Sequence, residues 1–142
     1  MKFKKGFTII ELLIVMAVIA ILVGIAIPSF RAMQTEAWRT KAEGDVRVIK
    51  IALESLYKNT GSFPTVGTGW QTDLTGASPR VLESVLEDPF NPGNSYKYTL
   101  AGSYYVVYSV GANGDDTTTV AISDTGVVTT PEGSVIYETN GY

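Results

Sequence analysis

Lys4-Lys5-Gly6-Phe7-Thr8-Ile9-Ile10-Glu11-Leu12-Leu13 carries a short basic leader into an apolar run, and one carboxylate, Glu11, sits inside that run. The run continues to Pro28 and Phe30. Phe7 to Phe30 holds 24 residues. As a helix it is about 36 Å long at 1.5 Å per residue. That length crosses a hydrocarbon core of roughly 30 Å. An ionisable group in a membrane helix costs about 2.5 to 3.5 kcal/mol on insertion scales, so it is kept where a partner charge or a function rewards it.

Two ordinary readings compete. A secretory signal peptide has an apolar region of about 7 to 15 residues and a small-x-small cleavage site, a role open to Gly24-Ile25-Ala26, but it carries no carboxylate near its start. A plain N-terminal anchor accounts for the length and for the basic flank through the positive-inside rule. It leaves Glu11 unexplained.

Lys5-Gly6-Phe7-Thr8-Ile9-Ile10-Glu11-Leu12 resembles the class III signal of type IV pilins and type II secretion pseudopilins. The resemblance implies cleavage between Gly6 and Phe7 by a prepilin peptidase and methylation of the new Phe7 amine. It also implies that Glu11 pairs with the Phe7 amine of a neighbouring subunit. Such pairing offsets the desolvation of a carboxylate in lipid, and loss of one partner strands the other.

The chain has 142 residues, which fits one domain beyond the membrane segment. The leader holds Lys2, Lys4 and Lys5 of the eleven basic residues, leaving eight against fourteen acidic side chains. Nucleic acid is therefore not an expected partner, because it calls for clustered Lys and Arg. There is no Cys and no His. The usual zinc ligands and the Ser-His-Asp and Cys-His nucleophile pairs are thereby removed, and no enzyme is expected. Many type IV pilins close their C-terminal region with a disulfide loop, so this chain needs another device there.

Beyond Pro28, Ala42, Val46, Ile49, Leu53 and Leu56 recur at spacings of four and three, one face of an amphipathic helix. Lys41, Glu43, Arg47, Lys50, Glu54 and Lys58 occupy the other face, read as solvated i,i+4 pairs. Asn59-Thr60-Gly61 is the stop signal. Pro28 predicts a kink or local melting. The stretch from Gly61 to Pro79 reads as a loop in which Trp70 is a packing anchor. Arg80 to Leu86 reads as a short helix, and Asp88 to Asn94 as a turn cluster. Strands are expected at Tyr96–Leu100, Tyr104–Val110, Thr117–Ser123, Val127–Thr130 and Ser134–Tyr137, with the second one central because both its faces are apolar. One long helix followed by strands without βαβ alternation predicts α+β, a membrane-spanning helix packed on a small antiparallel sheet, pilin-like in form. The expected divisions are 1–6 leader, 7–30 membrane and filament-core helix, 31–60 amphipathic continuation and 61–142 globular head.

Leu56 to Thr65, Asp88-Pro89-Phe90-Asn91-Pro92 and Tyr108-Ser109-Val110-Gly111-Ala112-Asn113-Gly114 also resemble segments of the major pseudopilin of type II secretion. Asn113, Asp115 and Asp116 put side-chain oxygens within four residues, as a Ca²⁺ loop does and as an ordinary solvated turn does. The resemblance implies calcium, with the carbonyl of Val110 beside Asn113, Asp115 and Asp116. It further implies a homopolymeric pseudopilus subunit for protein export. The subunit is single-pass in the bacterial inner membrane, in contact with lipid, with its head in the periplasm. The implied partners are minor pseudopilins or pilins, the peptidase and an inner-membrane assembly platform. Two alternatives stand beside it, a type IV pilin for adhesion, motility or DNA uptake, and a membrane-tethered binding module that never polymerises.

Overall fold

The computed structural model describes residues 6–113, 117–131 and 135–141. The chain forms two compact units, residues 1–36 and 37–142. Helix α1, Ile9–Thr60, contributes to both. In the first unit every described residue is exposed, including Ile9, Leu12, Met16, Ile21 and Ile25. Among the described residues α1 is the one helix long and apolar enough to cross a membrane.

The helical assignment runs unbroken through Pro28 and Gly44, so the local melting expected at Pro28 is not observed. Melting would free several backbone groups in an apolar environment, each costing several kcal/mol, whereas a proline within the helix removes one hydrogen bond. At its end the helix stops where expected. Thr60 Oγ1 donates to the Leu56 carbonyl at 2.9 Å, and the Gly61 N–H closes on the Tyr57 carbonyl at 2.8 Å. Gly61 has φ 77°, a left-handed value that costs a residue without Cβ nothing.

Within the second unit, Ala42, Val46, Ile49, Leu53 and Leu56 are all buried, together with Ala52 between them. They face an antiparallel sheet of β1 (Lys97–Ala101), β2 (Tyr104–Ser109) and β5 (Ile136–Thr139) in the order β1-β2-β5. The pairing of Ala101 with Tyr104 leaves Gly102-Ser103 as the hairpin turn, with Gly102 at φ 56°. The central position of β2 follows from its two apolar faces. Tyr105 and Val107 join the helix-side core, while Val106 and Tyr108 pack with Val120 and Ile122. The remaining strands, β3 (Ala121–Ile122) and β4 (Val128–Thr129), form a separate two-stranded ribbon. They are shorter than the strands expected at Thr117–Ser123 and Val127–Thr130. The last strand lies two residues beyond the expected Ser134–Tyr137.

Two further readings are corrected. The segment from Gly61 to Pro79 is not loop throughout, because Trp70–Gly76 forms helix α2. Trp70 is nonetheless the anchor expected, buried and stacked on Tyr98 at 4.8 Å between ring centroids. Arg80 to Leu86 is not a helix. Buried Gln71 competes for its backbone: its side-chain carbonyl accepts the Leu86 N–H at 2.8 Å, and its amide donates to the Leu86 carbonyl at 3.2 Å. Leu82 and Val81 donate their N–H groups to the Leu74 carbonyl. These bonds hold the segment extended, at the expense of the i→i−4 pattern a helix needs.

Three tyrosines bring hydroxyls into the helix-side core. Burial pushes the Tyr96, Tyr98 and Tyr105 phenols above their ordinary range. Tyr96 donates to Asp45 at 2.9 Å, which raises its phenol further, and Tyr98 donates to the Pro64 carbonyl at 3.1 Å. The Tyr105 hydroxyl closes no hydrogen bond within the described residues, although the Glu54 carboxylate is near enough to disfavour its ionisation.

Candidate functional site

The N-terminal site is built on the first turn of α1. The Thr8 N–H and the Thr8 hydroxyl both donate to Glu11 Oε2 at 2.9 Å, and the Glu11 N–H reaches back to Thr8 Oγ1 at 3.3 Å. This is a capping box, with Thr8 as N-cap and Glu11 at N3. The carboxylate thus has two donors within its own chain while the helix N-terminus gains a negative charge, the sign its dipole favours. Gly6 and Phe7 are exposed beside it, Phe7 at 88 %. The leader residues Met1 to Lys5 lie outside the described residues. The sequence reading missed Thr8, although the Thr-x-x-Glu spacing that signals a capping box was present.

The second candidate lies after β2. Val110 is buried, and Asn113 is exposed. Asp115 and Asp116 lie outside the described residues. Among the described residues no group of three or more acidic side chains stands close enough to hold a metal ion. What does fix this corner is Asp88, 1 % exposed. Its Oδ1 accepts the Ser109 hydroxyl at 2.7 Å and the Phe90 N–H at 3.0 Å, and its Oδ2 accepts the Val110 N–H at 2.9 Å. The Ser109 hydroxyl oxygen in turn accepts the Gly111 N–H at 3.2 Å. Asp88 therefore ties the Asp-Pro turn to the strand end that carries Val110. That turn was legible in the sequence; the carboxylate at its centre was not.

The C-terminal region, which has no cysteine to close it, is held by non-covalent contacts. Strand β5 pairs with the central strand from Ser109↔Ile136 to Val106↔Thr139. Lys50 reaches from α1 to Glu138 at 3.0 Å, which replaces the i,i+4 pairing expected of it. Asn140 accepts the Tyr105 N–H at 2.8 Å and donates to the Ser103 carbonyl at 2.9 Å. The expected pairing along the helix does occur for Arg39 with Glu43 and for Lys41 with Asp45.

Comparison with known proteins agrees with this geometry. The prokaryotic N-terminal methylation motif matches residues 1–27. Type II secretion system core protein G of Pseudomonas aeruginosa is 28 % identical over 125 residues, covering 80 % of this chain and 87 % of that protein. The core protein G of Vibrio cholerae is 26 % identical over 127 residues, covering 82 % and 86 %. A fimbrial protein of Pseudomonas aeruginosa is 47 % identical over 55 residues, covering 39 % of this chain and 36 % of that protein. No solved structure gives a significant match. The chain thus carries the prepilin N-terminal methylation motif on a pilin-like α+β fold, and it is a homologue of type II secretion core protein G and of the fimbrial pilins.

Proposed function

We propose that this protein is the major structural subunit of a pseudopilus, an inner-membrane-anchored helical filament that acts in protein export by type II secretion. The observation that carries this reading is the extent of the similarity to core protein G. It covers 80 % of the chain, so it includes the head as well as the anchor that pilins share. The subunit does no chemistry. The exposed apolar length of α1 holds the monomer in the inner membrane, single-pass, with the head in the periplasm, and packs against other copies in the filament core. A prepilin peptidase cuts between Gly6 and Phe7 and the new amine is methylated. Glu11 then sets register by pairing with the Phe7 amine of the next copy. An assembly platform and minor pseudopilins complete the apparatus.

Mass spectrometry of the membrane fraction tests the processing step. The wild type is expected to begin at a methylated Phe7, and Gly6→Glu to remain uncleaved. A wild-type chain beginning at Met1, or at Ile27 after conventional processing, contradicts the reading. A type IV pilin is the second reading, favoured by the 47 % identity with a fimbrial protein over 55 residues. Deleting the gene separates the two: loss of secreted proteins supports the pseudopilus, and loss of twitching or adhesion supports the pilus.

Calcium belongs to the same proposal, with the Val110 carbonyl, Asn113, Asp115 and Asp116 as its oxygen donors. A ligand that binds only the folded state at a hundredfold excess over Kd stabilises it by about 2.7 kcal/mol. The full-length protein in detergent is therefore expected to melt higher in millimolar calcium than in chelator, and Asp116→Ala to remove most of the difference. Equal melting temperatures would return the loop to an ordinary turn.

A further inference from the structure

The C-terminal segment that no disulfide closes carries Asn140-Gly141, and packing calls for both residues. Asn140 accepts the Tyr105 N–H and donates to the Ser103 carbonyl. Aspartate has the same shape but no donor for the second bond. A Cβ added to Gly141 would collide with the Gly126 carbonyl oxygen. The segment is thereby held between the β1–β2 hairpin turn and the turn that joins β3 to β4.

An asparagine followed by glycine is also the pair most open to intramolecular deamidation. The Gly141 nitrogen would lose its proton to hydroxide and attack Asn140 Cγ. The amide nitrogen would leave as ammonia, taking a proton from water, and a second water would open the cyclic imide to aspartate or isoaspartate. A side chain after the asparagine hinders that attack, and glycine has none. In the folded chain the attack is blocked. The Gly141 N–H donates to Thr139 Oγ1 at 2.9 Å, and both ends of the Asn140 amide are occupied, at 2.8 and 2.9 Å. These bonds must break before the nitrogen reaches the carbon. Asn140 is exposed and follows an edge strand, so the opening required is local.

We propose that Asn140 is a modification site gated by the fold: its amide is kept while the end of β5 is docked, and is lost as ammonia when that end opens. The product docks less well. In aspartate one carboxylate oxygen still accepts the Tyr105 N–H, but the other faces the Ser103 carbonyl, two acceptors with no proton between them. Isoaspartate adds a methylene to the backbone and so displaces Gly141 from the Gly126 carbonyl it abuts. Each opening that reacts weakens the clip that stands in for a disulfide. The inference holds for a pseudopilus subunit and for a pilin alike.

Asn113-Gly114, the other Asn-Gly pair in the chain, serves as the internal reference, and Asn113 is exposed. Full-length protein in detergent and chelator is incubated at mildly alkaline pH, either folded or in urea. Mass spectrometry of its peptides then follows conversion at each asparagine. In urea both sites are expected to convert at similar rates. In the folded protein Asn140 is expected to slow about tenfold or more relative to its rate in urea, and Asn113 to slow far less. Asn140→Asp makes the aspartate product directly. It is expected to speed hydrogen exchange over residues 136–141 about tenfold or more, with the β1–β2 pairing as protected as before. Conversion at Asn140 that is as fast in the folded protein as in urea, or absent from both, overturns the inference. Unchanged exchange in Asn140→Asp overturns it as well.

Discussion

Glu11→Ala is expected to abolish filament assembly while leaving the monomer inserted and folded. The substitution removes a carboxylate from the apolar segment, so membrane insertion improves or is unchanged. Thr8 still caps the helix, because its hydroxyl accepts the backbone N–H of residue 11 rather than the side chain. The loss falls on the contact between copies. In the proposed filament the Phe7 amine of the next subunit is left without its counter-charge, and breaking a buried pair costs about 3 to 5 kcal/mol. At 1.4 kcal/mol per tenfold, that is on the order of a hundredfold or more for every subunit added. Glu11→Gln separates charge from hydrogen bonding, since the amide oxygen still accepts from Thr8. It is expected to fail nearly as badly. If Glu11→Gln assembled at wild-type levels, Glu11 would be a capping residue and nothing more.

The second large effect is expected at Asp88. Alanine there strips three donors of their acceptor at once, the Ser109 hydroxyl and the N–H groups of Phe90 and Val110, in a site the residue fills at 1 % exposure. Each buried donor left unsatisfied costs about 1 to 3 kcal/mol. The total is at least about 3 kcal/mol, a large part of the 5 to 15 kcal/mol that stabilises a typical domain. Chemical denaturation of the full-length protein in detergent, followed by near-ultraviolet circular dichroism of the head tyrosines, reads the loss. Asp88→Asn keeps one carbonyl acceptor and is expected to fall between the two. A midpoint for Asp88→Ala equal to that of the wild type would mean that the Asp-Pro turn is held by something else.

The parts of the fold written as periodicity were legible in the sequence. The heptad-like run from Ala42 to Leu56 named the buried face of α1. The two apolar faces of Tyr104–Ser109 named the central strand. What periodicity could not carry was competition between side chain and backbone. Arg80 to Leu86 has the apolar spacing of a helix, yet Gln71, distant in sequence, takes up the Leu86 backbone on both sides. Trp70 was recognised as an anchor, but the seven residues it begins were too few and too polar for the helix they form to stand out. The ends of β3, β4 and β5 slipped because Thr, Ser and Gly around them carry little pattern.

The sites divide in the same way. Glu11 is conspicuous in the sequence because a lone carboxylate in an apolar run is costly, whereas Gly6 and Phe7 are singled out by the resemblance to the class III signal and not by any physical pattern of their own. Thr8 was hidden by reading that run for hydrophobicity instead of for caps. The device that substitutes for a disulfide in the C-terminal region is spread over Lys50, Glu138, Asn140 and the β2–β5 pairing, so no single motif announces it.

Electron microscopy of cells producing this chain with its assembly apparatus tests the central claim most directly. The account predicts thin filaments, absent with Glu11→Ala, whose sheared and purified subunits begin at a methylated Phe7 and bear this chain's head. A wild-type chain that is fully processed at Phe7 yet stays monomeric in the inner membrane, with all assembly components present, would contradict it.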